Sequence, residues 1–212
     1  MEFRDAVVRR RMVRNYTNEA VDPDALDRIL TTARKTPSAG FSQGQSMVVV
    51  TDPDTRRAIA RVCDEDHYVA TGLDPWISRA PVHIVVCTRG ESYLERYREP
   101  DKGGPDSPLG TAAGWPVPFW WVDAGATMML LLLGAVDEGL AAGFLGSHRL
   151  PELKALLAIP DDVNPIGIVT IGHPAPDRRS GSLRRGWRPV PDVVHRELWG
   201  SLSGQSHPPT SI

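Results

Sequence analysis

Four stretches of this chain hold residues whose types and spacing suit chemistry on a flat, charged small molecule. Arg9-Arg10-Arg11-Met12-Val13-Arg14 sets forked cationic donors close together, a pattern that fits a phosphate or carboxylate. The same run also reads as a solvated helix face. Pro37-Ser38-Ala39-Gly40-Phe41-Ser42-Gln43 offers small residues that let backbone N–H and C=O groups approach a planar ligand, with Ser38 and Gln43 able to add side-chain hydrogen bonds. A plain turn between two elements explains its Pro, Ser and Gly as well. Gly139-Leu140-Ala141-Ala142-Gly143-Phe144-Leu145-Gly146-Ser147 is apolar and glycine-bearing, suited to lying against a ring system or to forming a buried connecting strand. Arg178, Arg179, Arg184, Arg185 and Arg188 form a late basic stretch, either a second arm of an anion clamp or a flexible basic loop.

Other chemistries find little support. Two cysteines, Cys63 and Cys87, both in apolar settings, are too few for a disulfide framework or a structural zinc site and read as buried thiols. There is no G-x-G-x-x-G after a strand and no G-x-x-x-x-G-K-[ST], so a Rossmann or P-loop nucleotide site is not expected. A formal net charge of -2 argues against nucleic acid as the general partner of the arginines. His148 and His173 read as surface loop residues, and Asp123 as a helix cap.

The elements that must carry these residues follow from periodicity. Residues 2–13 read as a first helix, with Phe3, Ala6, Val7 and Val8 on one side. Asp22 and Pro23 start a helix over 22–35, ended by Pro37. Met47 to Thr51 reads as a strand, and Asp52-Pro53-Asp54 opens another helix. Pro81 to Thr88 is a second strand, followed by a long Gly- and Pro-rich loop over 103–118. Trp121 to Glu138, apolar nearly all round, predicts a centrally buried helix. A helix near 151–158 and a strand over 166–171 complete the pattern, which is α+β or α/β. The expected organisation is one domain over 1–199 with a polar tail over 200–212. With 41% hydrophobic and 24% charged residues and no leader-like apolar core near Met1, the chain is expected in the cytoplasm. The apolar run 124–136 is too short to span a bilayer.

The order of these motifs, over roughly residues 5–199, resembles the FMN-dependent nitroreductase family: an N-terminal Arg cluster, Pro-Ser-Ala-Gly after an amphipathic helix, an apolar helix ending in Gly-Leu, a strand ending in Gly-His-Pro, and a late Arg cluster. The resemblance implies an α+β three-layer sandwich, with a central, mostly antiparallel sheet flanked by helices, in an intertwined homodimer holding FMN between subunits. Carried over, Arg10, Arg11 and Arg14 would contact the FMN phosphate and ribityl chain, with Met12 where Ser is usual. Pro37, Ser38, Ala39, Phe41 and Gln43 would come from the other subunit. Leu145, Gly146 and Ser147 would lie along the isoalloxazine, and Arg185 and Arg188 would neutralise the phosphate. Phe41, Phe119 and Trp120 would contact a small aromatic substrate, although Trp115, Phe119, Trp120 and Trp121 also read as core or dimer packing. The implied reaction is a ping-pong hydride transfer from NADPH or NADH through flavin N5 to a nitroaromatic or quinone, with no catalytic side chain, metal, nucleic acid or membrane required. The family's turn usually reads Pro-Ser-x-x-Asn-x-Gln-Pro, and here Phe41 and Gly44 replace Asn and the final Pro. That change leaves open a deazaflavin-linked member, a dehydrogenase, or a protein that only sequesters flavin.

Overall fold

A computed structural model describes residues 1–146, 149–178 and 180–200. The chain divides into two units, 1–177 and 178–212.

The first unit is built on a four-stranded sheet in the order β1-β2-β4-β3: β1 Gln45–Val50, β2 Val82–Thr88, β3 Ala141–Leu145 and β4 Asn164–Gly172. Every pairing among these strands is antiparallel. A parallel bridge from Met12 to Ala142 extends the β3 edge.

Alternation along β2 explains why the sheet needs cover on both sides. Val82, Ile84 and Val86 pack into one core with Leu26, Ile29 and Ala33 of α2 (Pro23–Ala33) and Leu131, Leu132 and Ala135 of α7 (Phe119–Asp137). Val85 and Cys87 face the other core, with Ile59 of α3 (Pro53–Val62), Trp76 and Ile77 of α5 (Trp76–Arg79) and Leu153 of α8 (Leu150–Leu156). The result is the three-layer α+β sandwich expected.

Local signals place most boundaries. Asp22 accepts from Asp24 N–H at 3.1 Å and Asp52 from Thr55 N–H at 2.8 Å, each one residue before a helix-starting proline. Gly139, at φ +73°, follows the C-cap of α7.

Four expectations need revision. The first helix, α1 (Phe3–Arg9), stops four residues early, because Val13 N–H donates to Ala142 O at 3.0 Å and draws residues 10–14 out along β3. Only Ala6 of α1 is buried, while Phe3, Val7 and Val8 are exposed. Three helices were not legible in the periodicity: α4 (Glu65–Ala70), α5 and α6 (Glu91–Tyr97). They are short and held by tertiary bonds, as where buried Glu65 accepts from Ile77 N–H at 2.6 Å and Ser78 N–H at 2.9 Å. Lastly, α7 buries one stripe instead of its whole circumference. Trp121, Val122 and Met129 stand 44%, 51% and 40% exposed, so a single chain leaves an apolar flank uncovered.

The second unit holds short helical turns at Gly181–Arg185 and Val190–Asp192, the first begun by Ser180 Oγ accepting from Ser182 N–H at 3.3 Å.

Candidate functional site

The arginine segment and the third motif meet at the β3 edge. The bridge at Met12 and the Val13–Ala142 bond lay residues 12–13 directly against β3. Gly143 is what permits this approach: a Cβ there would lie 2.4 Å from Val13 O and 3.1 Å from both Tyr16 Oη and Thr170 Oγ1. Met12 packs on the core beside α7. No side-chain hydrogen bond or ion pair holds Arg10, Arg11 or Arg14 among the described residues, whereas Arg28, Arg89 and Arg96 all engage carboxylates. Arg14 is tied down through its backbone N–H, which donates to Asp177 Oδ2 at 3.0 Å.

Where β3 ends, Leu145 and Gly146 border a cleft shared with Cys63, His67, Tyr68 and Arg149. The Tyr68 phenol is raised by partial burial and by Cys63, and Arg14 opposes that shift, which places Arg14 within electrostatic reach of the cleft wall. Arg11 borders a different groove, with Arg9, Val136, Gly139 and Pro174. Tyr68 and His67 were not singled out from sequence; they sit on α4, whose six residues carry too little periodicity to announce a site. His173 lies 3.6 Å from Glu19 Oε1. Ser147, His148 and Arg179 lie outside the described residues.

The Pro37–Gln43 turn is elsewhere. It leads into β1, at the edge opposite β3, three strand spacings or roughly 14 Å across the sheet. Ser38 Oγ accepts from Gln43 N–H at 2.9 Å, and Phe41 N–H donates to Ser38 O at 2.8 Å. Gly40, Phe41 and Gln43 have φ of +62°, +58° and +50°, interrupted by right-handed Ser42, and the left-handed backbone is costly for the two non-glycine residues. Phe41 is 71% exposed. Beside the turn stands an aromatic cluster. Trp115 makes edge contacts with Tyr97 (4.9 Å), Trp120 (5.9 Å) and Phe119 (6.1 Å). Trp120 is also 6.0 Å from Tyr93, inside the cluster, while Phe119 is 42% exposed at its rim. A single chain therefore joins two of the four motifs and leaves the turn on the far edge of the same sheet. Within the second unit, Arg188 Nη2 donates to Asp192 O at 2.6 Å, and Arg185 closes the Gly181–Arg185 turn.

This arrangement meets known proteins at one place. The Nitroreductase family model matches residues 7–173. The chain belongs to the nitroreductase family. Among curated relatives, the FMN reductase, NAD(P)H type, of Bacillus subtilis (strain 168) is 29% identical over 197 residues, covering 89% of this chain and 71% of that one. An iodotyrosine deiodinase of Haliscomenobacter hydrossis is 23% identical over 216 residues, covering 92% and 89%. A solved hypothetical oxidoreductase of Bacillus subtilis superposes with a TM-score of 0.73 at 24% identity, covering 96% and 76%. The nitroreductase match thus spans the arginine segment, the turn, α7 and the β3–β4 pair, and stops just past Gly172.

Proposed function

We infer that this chain is an FMN-dependent NAD(P)H oxidoreductase that works as an intertwined homodimer. The observation that carries the reading is the arginine segment laid against β3 at Ala142, with no side-chain partner for Arg10, Arg11 or Arg14 among the described residues, on the strand that ends in Leu145. That donor set fits a phosphorylated ring. Arg10, Arg11 and Arg14 would hold phosphate and ribityl oxygens with charge-assisted bonds. Leu145 and Gly146 would support the ring with backbone groups and a glycine surface, with Tyr68 closing one side. Bound there, FMN would supply the hydride-transfer chemistry between NAD(P)H and an acceptor, so the chain's own residues need only bind it, orient it and limit access.

Two features support the dimer. The uncovered flank of α7 and the exposed Phe3, Val7 and Val8 of α1 supply apolar surface for a subunit interface. The Pro37–Gln43 turn cannot reach its own chain's β3 cleft across the sheet, so Pro37, Ser38, Ala39, Phe41 and Gln43 would serve the partner's site. By length and composition α7 could cross a membrane; we assign its apolar flank to the partner chain and the protein to the cytoplasm.

Donor and acceptor would use one space in turn, lined by Phe41 and Phe119. An Asn at position 41 could hydrogen-bond a ligand; Phe41 can only stack or pack, which favours a flat, apolar acceptor such as a quinone or nitroaromatic. Initial rates measured over a grid of NADPH or NADH against a quinone should give parallel double-reciprocal lines. Intersecting lines, or turnover only with a reduced deazaflavin donor, would overturn the NAD(P)H ping-pong assignment.

A further inference from the structure

Asp123 is a carboxylate buried in the second turn of an apolar helix, and the flavin chemistry asks nothing of it. It does not cap α7, whose N-cap is Pro118. Instead its Oδ2 accepts two hydrogen bonds, from Ala39 N–H at 3.0 Å and from Tyr93 O–H at 2.8 Å. Tyr93 is fully buried, receives a short hydrogen bond from Gln45 Nε2 at the start of β1, and has its phenol pushed up by burial and by Asp123. One residue further along the turn, Arg96 Nε donates to Gly40 O at 2.9 Å. Arg96 is itself fixed by Glu99 and Asp101, each at 2.7 Å. Two adjacent residues of the turn are thus gripped from outside, one at its N–H and one at its C=O. The ring of Tyr97 closes the third side, 2.6 Å from where a Gly40 Cβ would sit.

Phe41 follows directly, left-handed and exposed. Such a backbone persists only where its surroundings over-determine it. We propose that Asp123 is a positioning residue: with Tyr93 and Arg96 it presets the 37–43 turn so that Phe41 is presented to the partner subunit's cleft, and the acceptor specificity of each site is therefore set by the buried carboxylate of the other chain. This rests on the dimeric flavin reading above. The assignment follows from the atoms engaged. Two donors converge on one oxygen, which an ionised carboxylate serves best, an Asn carbonyl serves more weakly, and a Leu of similar size cannot serve.

The test is trans-complementation between two differently tagged chains of the full protein. One carries Asp123→Leu, and the other carries Arg10→Ala with Arg14→Ala. Mixed dimers hold one site made of an intact arginine segment and an intact turn. Asp123→Leu homodimers should keep their FMN and show a quinone KM raised on the order of tenfold, a change of about 1.4 kcal/mol. Mixed dimers should return to the wild-type KM, with about half the wild-type kcat per dimer. Asp123→Asn, which keeps an acceptor oxygen, should lie between wild type and Asp123→Leu; it also carries the comparison if the Leu variant does not fold. A mixed dimer retaining the raised KM of the Asp123→Leu homodimer would overturn positioning in trans. An unchanged KM in both Asp123 variants would overturn positioning altogether while leaving the flavin reading intact. Absence of bound FMN in the wild-type dimer would instead remove the reading beneath it.

Discussion

Adding one methyl group at Gly143 should cost both stability and cofactor. The new Cβ would sit 2.4 Å from Val13 O, so that carbonyl must retreat by about 1 Å to reach an ordinary van der Waals distance. The same movement stretches Val13 N–H to Ala142 O, now 3.0 Å, and Tyr16 O–H to Val13 O, now 3.1 Å. Overpacking costs about 1–3 kcal/mol, and each weakened bond up to about 1 kcal/mol more, so a total of about 2–4 kcal/mol is expected. For a chain of this size that corresponds to a melting temperature lowered by roughly 5–15 °C. The displaced strand carries Arg10 and Arg14, so FMN retention should fall in parallel. Gly146→Ala supplies the contrast, since a Cβ there meets no atom within 4 Å. It should melt like the wild type and lose only flavin affinity, because the methyl would occupy space beside the proposed ring. Thermal unfolding of apoprotein and holoprotein, with flavin content by absorbance, reads both effects. A Gly143→Ala protein that melts normally and keeps its FMN would refute the packing argument.

Further outcomes follow from the same geometry. Arg10→Ala and Arg14→Ala each remove a cation whose side chain has no hydrogen-bond or ion-pair partner among the described residues, so the apoprotein should melt unchanged. FMN affinity should fall about 10- to 100-fold, the worth of a charge-assisted bond of about 1.5–3 kcal/mol, as read by flavin fluorescence titration; an unchanged Kd would detach these residues from the phosphate. Phe41→Asn places a residue tolerant of φ +58° at that position and should stabilise the fold by up to about 1 kcal/mol in urea unfolding. Its quinone KM should rise at the same time; an unaltered KM would mean that Phe41 does not meet the acceptor. Burial lowers the His83 imidazole from 6.5 to about 4, even though its Nε2 lies 2.6 Å from Ile77 O. The unfolded chain therefore binds this proton first. The stability it contributes is complete above about pH 6.5, and about 3 kcal/mol is lost as pH falls towards 4. Unfolding free energies across that window should show the slope in the wild type and lack it in His83→Leu; equal slopes would assign the acid lability to other groups.

The readable parts of the fold were those with local causes. Asp22-Pro23 and Asp52-Pro53 start helices because a carboxylate caps and a proline fits the first turn, and both facts are written in consecutive residues. The largely apolar run of β2, interrupted by His83, follows from burial on both faces. What stayed hidden depends on distant partners. Residues 10–13 continue a helical pattern, and pairing with Ala142, some 130 residues away, draws them into an extended edge. Likewise α5 owes its place to Glu65. At the site, the arginines and the glycine segment were legible as types, but their meeting was not, since it hangs on the absence of a side chain at Gly143. Asp123 was misread because a carboxylate near a helix start has a common local role. Its actual partners, Ala39 and Tyr93, come from separate elements. The uncovered flank of α7 is the opposite case: uniform apolarity predicted burial all round, and the fold covers only one stripe.

The central claim is that this chain holds FMN at the β3 edge and that NAD(P)H reduces it there. An absorbance spectrum of the purified protein supplemented with FMN and freed of unbound flavin, recorded without oxygen before and after adding NADPH, tests that claim most directly. A yellow protein that bleaches on addition, and recovers its colour with a quinone, is the predicted result. A protein that emerges colourless despite excess FMN would contradict it.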